Sequence, residues 1–176
     1  MRRRIVPVGG LVPLRAVGIE YGAQEAVISE LVEDTLSLPA GLFNPENTRL
    51  LAVVHDAMEE TEHVASALRN LAANLDKSRG GSPDTATAAR DHAGAAFYQV
   101  IDERFPRWLA SLDGADPARA RDEWRLLLRN EARRQQEALA SAASDTAFAG
   151  RGEGRGRMDI GRALVYFRAA LNKAVP

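Results

Sequence analysis

Leu50, Val54, Ala57, Thr61, Val64, Leu68, Leu71 and Leu75 recur at alternating spacings of four and three residues. Side chains along a strand alternate with a period of two, so that series gathers on one face only if the segment is helical. Leu51, Met58, Ala65 and Ala72 add a second row beside the first. An apolar stripe of that width has to be covered by other helices, as in a bundle. Asn44-Pro45-Glu46-Asn47 supplies a cap and a proline for the start of this helix, and Gly80-Gly81 supplies its stop.

The same punctuation repeats downstream. Ser82-Pro83-Asp84 opens a second helix with Ala89, Ala93, Ala96, Phe97, Val100 and Ile101 on its apolar side. Pro106 is expected to kink or split it, because proline removes a backbone donor and crowds the preceding turn. Phe105, Trp108, Leu109 and Leu112 carry the apolar face past that point, and Asp113-Gly114 closes the element. Asp116-Pro117 opens a third helix whose inner stripe is Trp124, Leu128, Ala132, Gln135, Leu139 and Ala142. A glycine-rich loop over residues 149–157, AGRGEGRGR, leads to a fourth helix carrying Ile160, Leu164, Phe167 and Leu171. The predicted fold is mainly α: an antiparallel four-helix bundle over residues 44–176.

Residues 1–43 are of another character. Residues 14–21 and 26–32 are rich in β-branched and apolar side chains around Gly22-Ala23-Gln24, which predicts a β-hairpin. A lone hairpin is marginal in water. It must therefore pack on the helices or belong to a sheet whose other strands are missing. The whole chain, 176 residues with 45% hydrophobic and 27% charged content, is of a size and composition to bury a real core. It contains no cysteine, so disulfides and thiolate metal sites are excluded, and the expected compartment is the cytoplasm. Arg2, Arg3 and Arg4 are followed by Pro7, Gly9, Gly10 and Pro13, which interrupt any signal-peptide core. No segment approaches the roughly 20 apolar residues of a membrane span.

The net charge of −1 conceals a polarised distribution. Residues 20–76 hold eleven acidic side chains against two arginines, whereas residues 117–176 hold twelve basic against seven acidic, a net of +5. Arg121, Arg125, Arg129 and Arg133 succeed one another at every fourth position. They form either a phosphate-facing stripe, with Arg134 beside it, or a ladder paired with the acidic first helix. Arg151, Arg155 and Arg157 sit in the glycine-rich segment, either as a plain flexible loop or as a basic finger for a nucleic-acid backbone. That segment lacks the Gly-Lys-Ser/Thr of a P-loop.

Glu60 and His63 have the Glu-x-x-His spacing of di-iron bundles, but the second copy is absent: His92 has Ala89 three residues before it. His55-Asp56 lacks further ligands in a chain with three histidines. Glu59, Glu60, Glu62 and His63 are expected on a solvated helix face, and Trp108 and Trp124 in the core. No catalytic residue, metal site or cofactor is expected, and the chain is read as no enzyme.

The segments RAVGIEYGAQEAVISELVEDTLSLPAGLF, AAFYQVIDERFPRWLASL and ARDEWRLLLRNEAR, taken in this order, resemble the C-terminal part of the large subunit of the CRISPR type I-E surveillance complex Cascade, the CasA family. The markers are Gly18, Tyr21, Gly22 and Gln24, then Asp34, Leu36, Leu38 and Pro39, then Phe97, Tyr98, Phe105 and Trp108, and the helix of Trp124. None is a catalytic motif. The resemblance implies that the hairpin leads out of an N-terminal α/β domain that this chain lacks, and that a four-helix bundle follows. It further implies a non-catalytic subunit fragment in RNA-guided antiviral defence. Its bundle would help to seat target and displaced DNA, and dock the neighbouring subunits, the guide RNA they carry and the recruited helicase-nuclease. No membrane is implied. Arg121, Arg125, Arg129, Arg133, Arg134, Arg151, Arg155 and Arg157 are the candidate nucleic-acid contacts on charge and spacing alone. The alternative is a stand-alone protein-docking module without nucleic-acid contact, using Asp56, Glu59, Glu60 and Glu62 toward a basic partner.

Overall fold

The computed structural model describes residues 48–149 and 155–176. They are mainly helical, with four helices and no strand among the described residues: α1 Thr48–Ser78, α2 Pro83–Ala110, α3 Pro117–Ala149 and α4 Arg155–Ala174. The hairpin expected over residues 14–32 and the expected start at Asn44-Pro45 lie outside the described residues.

The connections follow from the residues that break the helices. At the end of α1, Gly80 N–H donates to Lys77 O (2.9 Å) and Gly81 N–H to Asp76 O (3.1 Å), with Gly80 at φ +82°. This is a Schellman cap, which satisfies carbonyls that the helix leaves open and needs a residue tolerant of positive φ. Ser82 then caps α2 by accepting the Thr85 N–H on its hydroxyl at 3.3 Å. The Thr85 hydroxyl donates to Asp76 Oδ2 at 2.7 Å, tying the start of α2 to the last turns of α1. Gly114, at φ +69°, turns the chain between α2 and α3. Asp116 Oδ2 accepts the Arg119 N–H at 3.0 Å, so Asp116 is the N-cap and Pro117 the first residue of α3.

α2 runs through Pro106 as one helix rather than splitting there. Proline removes one N–H donor only, and Phe105, Trp108 and Leu109 bury the turn around it. Part of the segment expected as a loop over residues 149–157 is helical. α3 extends to Ala149, and α4 already includes Arg155 and Arg157.

The chain divides into two compact units. The described part of the first comprises residues 48–59 and 98–125. Its core joins Val53, Val54 and Ala57 of α1 to Ile101, Phe105 and Trp108 of α2 and to Leu112, Ala120 and Trp124. Three aromatic rings cluster there: Trp108 and Trp124 with centroids 4.8 Å apart, and Phe105 at 5.8 Å from Trp108 and 5.5 Å from Trp124. The expected core placement of both tryptophans is therefore observed. Each indole N–H is satisfied, as burial demands, Trp108 by Ala120 O and Trp124 by Ala57 O, both at 3.1 Å.

The second unit comprises residues 60–97 and 126–176. Its core takes Val64, Leu68, Leu71 and Leu75 from α1, Ala93 and Phe97 from α2, Leu128, Ala132 and Ala143 from α3, and Phe167, Leu171 and Val175 from the C-terminal segment. Every member of the Leu50-to-Leu75 series is buried. On α3 the inner stripe drifts: Gln135 and Leu139 are half-buried, and Ala143 rather than Ala142 is the buried residue of the later turns. Spacings of three and four only approximate a 3.6-residue turn, so the buried line shifts register along a helix this long.

Candidate functional site

α3 carries most of the arginines singled out by charge and spacing, and its cap sets where they fall. With Asp116 as N-cap and Trp124 buried against α1, Arg121, one turn before Trp124, reaches the Asp56 carboxylate and forms an ion pair. Two adjacent α1 residues, Asp56 and Ala57, thus hold two α3 residues one turn apart. Arg121 Nε is itself buried and has no acceptor among the described residues. His55 Nδ1 lies 3.6 Å from Asp56 Oδ1 and 3.9 Å from Glu59 Oε2. Burial pushes the imidazole of His55 below its ordinary pKa of 6.5, against the opposing pull of Glu59 and Asp56.

In the second unit, Arg129 donates through Nη2 to the carbonyls of Val175 (3.0 Å) and Pro176 (2.8 Å), beyond the last turn of α4. A cation there meets the negative end of the helix and satisfies carbonyls that the helix cannot. Glu131 is buried and accepts three hydrogen bonds: from Arg134 Nε (2.9 Å), Arg134 Nη2 (2.6 Å) and Gln135 Nε2 (2.8 Å). The hydrogen bonds to Glu131, and then its charge, raise the Arg134 pKa above the ordinary arginine value. Arg133 is exposed and Arg125 half-buried. Arg155 and Arg157 lie in the first turn of α4, whereas Arg151 is outside the described residues.

The arginines therefore divide. Arg121, Arg129 and Arg134 each have an acceptor within the chain, and the Arg121 pair reaches an acidic residue of α1, as the paired-ladder reading expects. Arg133 is exposed, and Arg134, although paired with Glu131, keeps most of its side-chain surface in water.

The acidic segment of α1 departs from a uniformly solvated face. Glu59, Glu62 and His63 are exposed, but Glu60 is buried. Glu60 falls seven residues after Val53 and seven before Ala67, in a buried row that neither the four-and-three series nor the row of Leu51, Met58, Ala65 and Ala72 traces. Glu62 pairs with Arg69 at 3.0 Å. Among the described residues no group of three or more histidine, aspartate or glutamate side chains gathers as a metal site. Nor is any described helix long and apolar enough to cross a membrane. Sequence reading passed over Arg162, Arg168 and Lys173, all exposed on α4. Their spacing is visible in the sequence, but the net basic charge there is more concentrated in the glycine-rich segment before them.

Residues 1–135 match the family described as CRISPR-associated protein Cse1. The chain belongs to the Cse1 family. A crystal structure of Thermobifida fusca Cse1 is similar in fold, with a TM-score of 0.70 and 28% sequence identity over 79% of this chain. The match takes in 25% of the T. fusca protein, so this chain spans about a quarter of that Cse1. No curated protein matches the chain. The likeness to the C-terminal domain of the type I-E large subunit, carried in the sequence by the markers at residues 18–24, by Phe97-Tyr98 and by the helix of Trp124, thus agrees with both the Cse1 family match and the Cse1 fold.

Proposed function

We propose that the four helices are the C-terminal bundle of a Cse1-type large subunit, a non-catalytic, cytoplasmic part of an RNA-guided DNA surveillance complex. In this reading the bundle follows the hairpin of an N-terminal domain, helps to seat target and displaced DNA, and docks neighbouring subunits, with their guide RNA, and the recruited helicase-nuclease. The observation that carries it is the family membership, joined to an α3 on which Arg133 and Arg134 are exposed.

The phosphate contacts are assigned to Arg133 and Arg134 on α3, with Arg125, Arg151, Arg155 and Arg157 as further candidates. Arg121 and Arg129, held by Asp56 and by the carbonyls of Val175 and Pro176, act first as internal braces. Contacts of this kind are indifferent to base sequence and release counterions. Titrating a labelled duplex with the chain at several salt concentrations tests the assignment. Arg133→Glu with Arg134→Glu should weaken binding and reduce the slope of log K against log salt by about 2. An unchanged slope would remove these residues from the interface.

The docking reading has its own support in Leu126, a large apolar side chain exposed on α3. Its acidic surface is narrower than the sequence implied, since Asp56 is paired and Glu60 buried. Co-elution with a guide-loaded assembly lacking its large subunit would support docking, and failure of wild-type protein to co-elute would count against it.

A further inference from the structure

We propose that the outer face of α4 is a platform for single-stranded DNA, on which Tyr166 stacks an unpaired base while Arg162 and Lys173 hold the phosphates to either side. The proposal rests on the DNA-seating reading above and names the strand form and residues of a contact separate from the α3 arginines.

The inner face of α4 is settled by Ala163, Phe167, Leu171 and Ala174, all buried. On one flank of the exposed side Arg162, Tyr166, Ala169 and Lys173 succeed one another at spacings of four, three and four, which aligns them along one exposed line. The line runs for about 16 Å, with Tyr166 about 6 Å along the axis from Arg162 and about 10 Å from Lys173. Tyr166 is 66% exposed, the highest exposure of any large hydrophobic side chain among the described residues. Ala169, between Tyr166 and Lys173, leaves the ring's C-terminal side unobstructed by bulk.

Charge selects the occupant. The described side chains of α4 carry three cations, Arg162, Arg168 and Lys173, against one acid, Asp159, at the start of the line. None of the three cations forms an ion pair with a described carboxylate. A tyrosine ring with Val165 beside it is too little apolar surface for a dry protein interface. An exposed ring between two cations is, however, the arrangement by which proteins hold single strands without regard to sequence, the ring meeting a base and the cations the backbone. A duplex keeps its bases stacked on one another and offers such a ring nothing.

The test is the binding of the full chain to a dye-labelled 20-nucleotide oligothymidylate and to a duplex of equal length, across a salt series. Tyr166→Ala should weaken single-strand binding by about fivefold or more and leave duplex binding unchanged. Tyr166→Phe should bind as wild type, because the ring rather than the hydroxyl does the stacking. Arg162→Glu with Lys173→Glu should weaken single-strand binding and flatten its salt dependence. If wild type binds DNA and Tyr166→Ala binds the single strand equally well, the platform is overturned and the seating role stands. Should wild type bind neither form at low salt, both fall. A Tyr166→Ala protein that keeps its DNA affinity but no longer co-elutes with the Cascade assembly would reassign the face to a protein partner and overturn the proposal.

Discussion

Trp124 donates its indole N–H to the carbonyl of Ala57 at 3.1 Å, and Asp56, the neighbour of Ala57, grips Arg121 one turn earlier on the same helix. A buried contact and a half-exposed one thus lie side by side between α1 and α3, and they should differ widely in worth.

Trp124 fills the centre of the aromatic cluster and is fully buried. Trp124→Ala should cost about 3–5 kcal/mol, the range for deleting a buried aromatic side chain. Trp124→Phe retains much of the ring but loses the hydrogen bond, and should cost less. Urea denaturation followed by helical circular dichroism would rank the two, and a reversed order would remove Trp124 from the centre of the core.

The Asp56–Arg121 pair is another matter, because both side chains keep more than a third of their surface in water. A double-mutant cycle of Asp56→Ala and Arg121→Ala should give a coupling of about 0.2–1 kcal/mol, declining as salt is added. A coupling several times larger and insensitive to salt would show that the pair is shielded.

Gly80 and Gly81 stand next to each other but should fail for different reasons. Gly80→Ala meets no neighbouring atom, yet it forces a Cβ into positive φ, at a cost of about 1 kcal/mol. A Cβ on Gly81 would fall 2.0 Å from Asp76 Oδ2 and 2.8 Å from Thr85 Oγ1, so Gly81→Ala must displace the carboxylate and break its bond to Thr85. Adding Thr85→Val should therefore cost less in the Gly81→Ala background than in wild type, as thermal melts would show.

His55 sets a pH dependence. Its pKa is lower in the folded chain than in the unfolded one, so between the two values the unfolded chain binds more protons. The stability gained by keeping His55 neutral is present above pH 6.5 and is lost as pH falls from there through the folded value. Denaturation midpoints should decline over this window, and His55→Gln should flatten the decline. An equal decline in the variant would assign it to other groups.

The helices were largely legible because their cause is local. The four-and-three series and the Ser-Pro, Asp-Pro and Gly-Gly punctuation act within a turn or two of the residues that carry them. Burial of Glu60 was missed because the two rows legible in the sequence leave out a third, that of Val53, Glu60 and Ala67, which the helix also buries. The early start of α4 was missed because Gly154 and Gly156 argue for a break on propensity alone, a cost of roughly 1 kcal/mol per glycine that neighbouring structure can offset. Arg129 was beyond reach: its acceptors stand 46 and 47 positions away and are backbone atoms, which no side-chain pattern announces. Pairing of Arg121 with acidic α1 was foreseeable in kind, since charge polarity suggested it, but not in partner.

The chain has two tryptophans, and both lie in one cluster with their rings 4.8 Å apart. Intrinsic tryptophan emission is therefore a local instrument in this protein. It reports on residues 48–59 and 98–125 and carries no direct signal from residues 60–97 or 126–176. An unfolding curve read by emission, laid over one read by backbone dichroism, compares the aromatic unit with the whole helical chain. Coincident midpoints would mean that the long helices transmit cooperativity from end to end, and separated midpoints that each half melts by itself.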